Sequence, residues 1–134
     1  MIISFSVFRD KIEDGTKKQT IRRYSEKRYK QFYNAKKYQL YWHNPRNGGT
    51  LIKEVEPNGK PQIIKYLKKD HFTGIKRFKH KLIYIVDIET GIIVNPFVLA
   101  KDDGFENDIE MYDWFFGHYG VTMYDEQFMV IRWK

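Results

Sequence analysis

Apolar and polar positions alternate or cluster along the chain in a way that predicts mostly short strands with two or three helices. Ile2–Phe5 is a short apolar start that suits an edge strand. Ser6 is placed to cap a short helix over Val7–Asp14, with Phe8 and Ile12 on one face, and Gly15 can take the positive φ that ends it. Lys17–Tyr24 then reads as a strand with a heavily charged face. Ser25 opens a helix to Asn34, with Arg28 at its third position. Lys37–Trp42 is a Tyr- and Leu-rich buried strand, and His43–Gly49 is a loop. Leu51–Glu56 and Gln62–Leu67 flank Pro57-Asn58-Gly59-Lys60, where Asn-Gly signals a hairpin. A helix starting at Pro61 competes with the second of these strands. Lys68–Lys79 is polar and basic and reads as loop.

The second half begins with the strongest strand, Lys81–Ile88, followed by a turn at Glu89-Thr90-Gly91 and a strand at Ile92–Asn95. Asn107, with Glu110 three residues on, resembles a capping box. The helix it opens carries Ile109, Tyr112, Phe115, Phe116 and Tyr119 at helical spacing, and Gly117 and Gly120 can close it. Gln127–Trp133 alternates as a final strand. No repeat, linker or composition break divides the chain, so residues 1–134 form one α+β domain, not a parallel βαβ sheet.

Charge changes the picture only through its distribution. The net charge is +7 over 134 residues. Arg9–Arg46 holds 12 basic and 4 acidic residues, and Lys60–Lys81 holds 8 basic residues against Asp70, whereas Lys101–Glu126 holds 8 acidic residues against Lys101. Aromatics run through the basic blocks: Tyr24, Tyr29, Phe32, Tyr33, Tyr38, Tyr41 and Trp42, then Tyr66, Phe72 and Phe78. Cations that hold a phosphate backbone beside rings that stack on bases point to nucleic acid. The plain alternative is a solvated Lys-rich surface over an aromatic core.

Composition removes several classes. There is no cysteine, hence no disulfide scaffold, Cys-ligated zinc or Cys nucleophile. His43, His71, His80 and His118 lack metal-ligand spacing, so no metal and no cofactor is expected. Asp102, Asp103, Glu106 and Asp108 read as a solvated acidic helix start before they read as a Mg²⁺ or Mn²⁺ site. No apolar run is long enough to span a bilayer and the N-terminus has no signal-peptide pattern, so a cytoplasmic protein is expected. The oligomeric state is left open.

The sharpest motif is Gly15-Thr16-Lys17-Lys18-Gln19-Thr20-Ile21-Arg22. On a strand, Lys18, Thr20 and Arg22 share a face, and Lys17, of opposite parity, lies beside the Gly15 turn that could redirect it. Such a cluster can bind a phosphate or a carbonyl oxygen; it can equally be a charged strand edge. The motif resembles the signature of ASCH domains, of the PUA-like superfamily. Tyr38-Gln39-Leu40-Tyr41-Trp42, Asp103-Gly104-Phe105, the helix with Met111, Trp114, Phe115 and Tyr119-Gly120, and Val130-Ile131-Arg132-Trp133 are also similar to that family. Residues 43–80 are a longer basic excursion that does not match.

The resemblance implies a small PUA-like β-barrel with flanking helices and a cleft that binds RNA or a nucleotide. Some ASCH proteins remove the acetyl group from N4-acetylcytidine, and others are reported as ribonucleases or as binders without known chemistry. Carried over, the amidohydrolase roles fall on Lys17, Thr20 and Asp103, with Asp here in place of the family's Glu. Lys18, Arg22, Arg23, Tyr24 and Trp42 are the candidate nucleic-acid or ligand contacts. A Lys activates a Thr hydroxyl only if burial or neighbouring cations lower its pKa. Asp103 could orient that Lys, or it could simply neutralise Arg22. A non-enzymatic protein-interaction module remains as a third reading, one that needs no pocket at Thr20.

Overall fold

The structure is a computed structural model and describes residues 1–68 and 83–134. Among the described residues eight strands and four α-helices follow in the order β1 (Ile2–Phe5), α1 (Arg9–Glu13), β2 (Gln19–Arg23), α2 (Glu26–Asn34), β3 (Tyr38–Trp42), β4 (Thr50–Val55), β5 (Gln62–Lys68), β6 (Ile83–Asp87), β7 (Ile93–Val94), α3 (Pro96–Asp103), α4 (Asp108–Tyr119) and β8 (Gln127–Arg132). The fold is α+β. One sheet has the order β1-β3-β4, with β1 an edge strand parallel to β3, and the other has the order β2-β8-β5-β6-β7. Among the described residues no helix is long and apolar enough to cross a membrane.

β8 explains how two sheets share one domain. Phe128, Met129, Val130 and Ile131 are all fully buried, which a half-exposed strand would not allow. Alternate side chains leave a strand on opposite faces. Phe128 and Val130 enter a core with Ile64, Tyr66, Ile85, Leu99, Met111 and Phe115, beneath α3 and α4. Met129, Ile131 and the following Trp133 enter a second core with Ile3, Phe5, Ile12, Phe32, Tyr38 and Leu40, against the three-stranded sheet. The alternation expected for this strand is therefore present, but it divides two apolar interiors instead of core from solvent.

The two sheets meet at one isolated bridge, Pro57 to Trp133. This corrects the expected hairpin around Asn58-Gly59. β4 and β5 lie in different sheets, and the turn between them carries the chain across, with the Asn58 amide donating to Arg132 O at 2.9 Å. Gly59 does take a positive φ of 78°, as an Asn-Gly turn requires, but the local signal fixes a turn and not which strands pair. The competing helix at Pro61 does not form. Among the described residues the strands do not close into a barrel: β1 and β2 do not pair with each other, and the gap between them is crossed by the Arg22 side chain, whose Nη2 donates to Ser4 O at 2.6 Å.

Helix ends follow their caps more closely than their apolar faces. Ser25 accepts from Arg28 N at 3.2 Å and Asn107 accepts from Glu110 N at 2.8 Å, each cap worth about 1 kcal/mol. Ser6 caps nothing; α1 starts after Phe8, whose φ of 63° is left-handed, and no side chain caps it. The sequence conceals α3, because Asn95 and Pro96 also suit the end of a strand. Asn95 is in fact its cap, accepting from the amides of Phe97 and Val98, and Pro96 is its pre-set first residue. On α4 the buried residues are Met111 and Phe115, while Ile109 and Phe116 are exposed, so the helix is rotated from the expected face. Gly117 lies within α4 and Gly120 closes it. The strand expected over Lys81–Ile88 forms as β6, Ile83–Asp87, with residues 81 and 82 outside the described residues, and the loop expected at Lys68–Lys79 lies outside them apart from Lys68, which ends β5.

Truncating β8 should be felt on both sides. Phe128→Ala should cost about 3–5 kcal/mol and Met129→Ala about 2–5 kcal/mol. Ile92→Ala, at a side chain left 65% exposed, should stay within about 0.5 kcal/mol. Urea unfolding midpoints of the three variants check this.

Candidate functional site

The site grows from the irregular residues before β2. Regular strand geometry begins only at Gln19, so the parity argument does not reach Lys17 and Lys18. After the Gly15 turn the Lys17 amide donates to Lys11 O, and its side chain turns inward, leaving the residue 2% exposed. Lys18 turns outward and is exposed, which corrects the shared face expected for Lys18, Thr20 and Arg22. Thr20 and Arg22 do share a face, the one toward β1.

Lys17 meets the end of α3. Its Nζ donates to Asp103 O at 2.5 Å and lies 3.4 Å from Asp103 Oδ2. The ammonium also sits 5.7 Å from the Phe5 ring centroid and 5.4 Å from that of Phe8. Gly104 makes this approach possible. Its φ of 104° is one that side-chain-bearing residues avoid, and a Cβ there would stand 3.1 Å from the Phe8 ring and 3.5 Å from Lys17 Cδ. Lys11 Nζ donates to the Gly104 carbonyl and lies 3.5 Å from Glu106 Oε1, fixing the same turn from outside.

Gln19 and Tyr66 complete the surroundings, and the sequence singled out neither for the site. Gln19 Nε2 donates to Leu99 O at 3.0 Å and to Asp103 Oδ1 at 3.3 Å, so the carboxylate is held from both sides. A polar residue at a strand start carries no signal of this until α3 is known to pack there. The Tyr66 hydroxyl is buried and has no hydrogen-bond partner among the described residues, and burial, with the nearby Asp103 charge, holds it well above the usual phenol range.

Thr20 and Arg22 form a second bonded pair. Arg22 Nε donates to Thr20 Oγ1 at 3.1 Å, and the guanidinium lies 5.1 Å from the Phe5 ring centroid. Among the described residues no hydrogen bond joins Lys17 to Thr20, and the Thr20 hydroxyl proton has no acceptor. Both pairs line one cleft of about 160 Å³, together with Ser4–Phe8 on one side and Phe105 and Trp114 on the other. Its walls are thus rings, and its polar atoms are a free hydroxyl proton, a guanidinium and a buried Lys–Asp pair. That set can donate to a carbonyl oxygen between apolar faces.

The other candidates do not enter the cleft. Arg23 is exposed and paired with Glu126. Tyr24 packs on Tyr29, and Trp42 lies under Arg9 and against His43. Lys18 lines a separate depression. Among the described residues no group of three His, Asp or Glu side chains could hold a metal ion; His71 and His80 lie outside them. Asp102 points to that second depression while Asp103 is buried, so the acidic run does not converge. Compared with family models, with curated proteins and with solved structures, the chain matches none.

Burial sets the protonation tendencies. Desolvation pushes the Lys17 pKa below 10.5, opposed by Asp103, and pushes the Asp103 carboxyl above 3.8, opposed by Lys17, Gln19 and Arg22. Above pH 3.8 the folded protein retains the Asp103 proton longer than the unfolded chain does, so stability falls as pH rises through the raised value. Below pH 10.5 folded Lys17 has released its proton where the unfolded chain has not, so stability falls as pH drops through the lowered value. The two slopes make mid-range pH the least favourable for this pair. Lys17→Met alone should therefore cost about 3–5 kcal/mol at pH 7, and Lys17→Met with Asp103→Leu should recover most of it. The double variant should also show a flatter dependence of urea midpoint on pH between about 4 and 10. A double variant weaker than the single one contradicts this account.

Proposed function

We propose that the cleft between β1 and β2 receives one base or nucleoside-sized group of an RNA or nucleotide. The observation that carries this reading is the size and lining of the cleft. At about 160 Å³ it is smaller than the ~300 Å³ at which drug-sized ligand pockets begin, and its faces are Phe5, Phe8 and Trp114. A single planar group fits such a space; a folded peptide does not. The Thr20 hydroxyl and the Arg22 guanidinium would meet a carbonyl oxygen of that group. Exposed cations outside, Lys18 and Arg23 among them, would meet phosphates. The resemblance of residues 15–22 and 103–105 to ASCH domains supports the same use, and we read the two sheets as a PUA-like barrel opened at the β1–β2 gap. A protein-interaction module is the weaker reading, since it calls for no cleft at Thr20.

The second reading is an amidohydrolase acting on N4-acylated cytidine. It is favoured by one observation, the burial that drives Lys17 toward its neutral, basic form beside Thr20. In that chemistry Lys17 would take the Thr20 proton, Thr20 Oγ1 would attack the acyl carbon, and Arg22 would stabilise the resulting oxyanion; the acyl C–N4 bond would then break as Lys17 returns the proton to the departing cytidine amine, and water would hydrolyse the Thr20 ester to release acetate. Asp103 would position Lys17.

Trp114 lies in the cleft wall, so its indole N–H resonance reports occupancy. Cytidine, and more strongly a short single-stranded RNA, should shift it saturably at ~50 mM salt. If about three phosphates are neutralised, RNA affinity should fall on the order of tenfold or more by ~200 mM salt. Thr20→Val, which keeps the shape and removes the hydroxyl, should weaken cytidine by about five- to tenfold. An unchanged Trp114 resonance with cytidine and RNA alike rejects the binding reading. Release of acetate from N4-acetylcytidine, abolished in Thr20→Val, is the outcome that selects the enzyme.

A further inference from the structure

β7 is the last strand of the five-stranded sheet, and among the described residues no strand pairs with its outer side. Its ladder with β6 decides which backbone groups are left over. The Asp87 amide donates to Ile92 O at 2.9 Å, Val86 stands opposite Ile93, and Ile85 stands opposite Val94. Antiparallel ladders alternate bonded and unbonded pairs, so Ile93, next to the bonded Ile92, turns its N–H and C=O away from β6. Proteins usually blunt such an edge with charged side chains, a proline or a bulge. β7 is short, but no charged residue stands between Glu89 and Lys101, in a chain where 31% of residues are charged.

The side chains around that edge are large, apolar and exposed. Ile92 is 65% exposed and Ile93 57%, and Phe97 and Val98, in the first turn of α3, are 51% exposed each. None of the four packs on either core; of this stretch Val94, Leu99 and Ala100 do. α3 starts two residues after β7 ends, so strand and helix present these side chains side by side. Together they leave on the order of 400 Å² of apolar surface in water, within the ~300–600 Å² of the largest patch on an ordinary monomer, which is often functional. Glu89 and Lys101 bracket the patch, both exposed and neither with an ion-pair partner among the described residues.

We propose that β7 is a dimer interface, pairing antiparallel with β7 of a second copy of the chain about a two-fold axis at Ile93. An antiparallel edge is complementary to itself, so Ile93 of each copy exchanges both free backbone hydrogen bonds with Ile93 of the other. With Ile93 at the axis, residue 89 of one copy faces residue 97 of the other. Glu89 then meets the first turn of α3 in the second copy, where a carboxylate is favoured, and Lys101 lies one helical turn further on. The chain's own sequence thus supplies both the strand and the opposite charge that the edge lacks, which an unrelated strand does not. The apolar area lost from both copies is about 800 Å², which reaches the ~1,200–2,000 Å² of stable interfaces only with the backbone and polar rim and sets the dimer in the micromolar range. β7 lies at the opposite end of its sheet from β2, so the cleft between β1 and β2 stays open in each copy. The proposal does not rest on what that cleft binds.

Sedimentation equilibrium of the full chain from ~1 to ~500 µM should show a monomer at the dilute end and a dimer at the concentrated end. Ile93→Lys sets two ammonium groups across the axis and should weaken the dimer at least about tenfold, with the urea midpoint of the dilute monomer unchanged. Glu89→Lys and Lys101→Glu should each weaken it several-fold, and the two together should restore it. The Ile93 amide, open to water in the monomer, should exchange hydrogen more slowly as concentration rises. A chain that stays monomeric throughout overturns the proposal, whether or not it captures an added extended peptide. A dimer that Ile93→Lys leaves intact, or whose Ile93 amide exchanges as fast as in the monomer, overturns it as well, since the interface then lies elsewhere. A Glu89→Lys, Lys101→Glu double variant no tighter than the single ones overturns the antiparallel two-fold.

Discussion

Lys17 and Asp103 stand 86 residues apart in the chain and can leave water only together. An ammonium or a carboxylate alone at that depth would cost several kcal/mol, and each is tolerable only while the other is in place. Around this contact the local structure has little freedom. α3 must end at Asp103, Gly104 must turn with a positive φ, and Phe8 must take its own left-handed backbone to lay its ring over the ammonium. Phe8 bears a side chain, and a left-handed conformation there costs about 1–2 kcal/mol. Its ring contact with Phe105, at 5.1 Å and near-perpendicular, helps to hold it. Strain, buried charge and a ring-lined cleft thus coincide at one place. The open seam between β1 and β2 belongs to the same arrangement, because Arg22 fills it with a side chain where a strand pair would have sealed it.

Much of the local structure was legible in the sequence. Ile2–Phe5, Tyr38–Trp42 and the caps at Ser25 and Asn107 follow from apolar runs and short polar side chains, which act within a few residues. The meeting of Lys17, Thr20, Arg22 and Asp103 in one cleft was legible only through a motif and a resemblance, since nothing local links residue 17 to residue 103. Illegible features were those decided at a distance. Asn58-Gly59 specifies a turn, but which strands flank it depends on where Trp133 lies. The buried face of α4 depends on the core that β8 and β5 offer it. Lys18 stays out of the cleft because strand geometry starts one residue after it, so parity does not reach it, and Gln19 carries no local signal because its partners, Leu99 and Asp103, sit on a helix that the sequence conceals behind Asn95-Pro96.

The place of β8 has a further consequence for how the protein comes into being. The strand that walls both cores is the last one in the chain, and the bridge that joins the sheets ends on Trp133. Until residues 128–133 have been made, neither interior can be closed, since each lacks the face that they supply. The apolar sides of β2 and β5 then wait unpaired for the strand that inserts between them, and the pairings it makes span up to more than a hundred residues, as between Gln19 and Arg132. Contacts so distant in the chain make folding slow and leave strand edges open in the interval. Neither core of this domain is complete before residues 128–133 join it, and a nascent chain that stops short of them is where its exposure to aggregation and to chaperones is greatest.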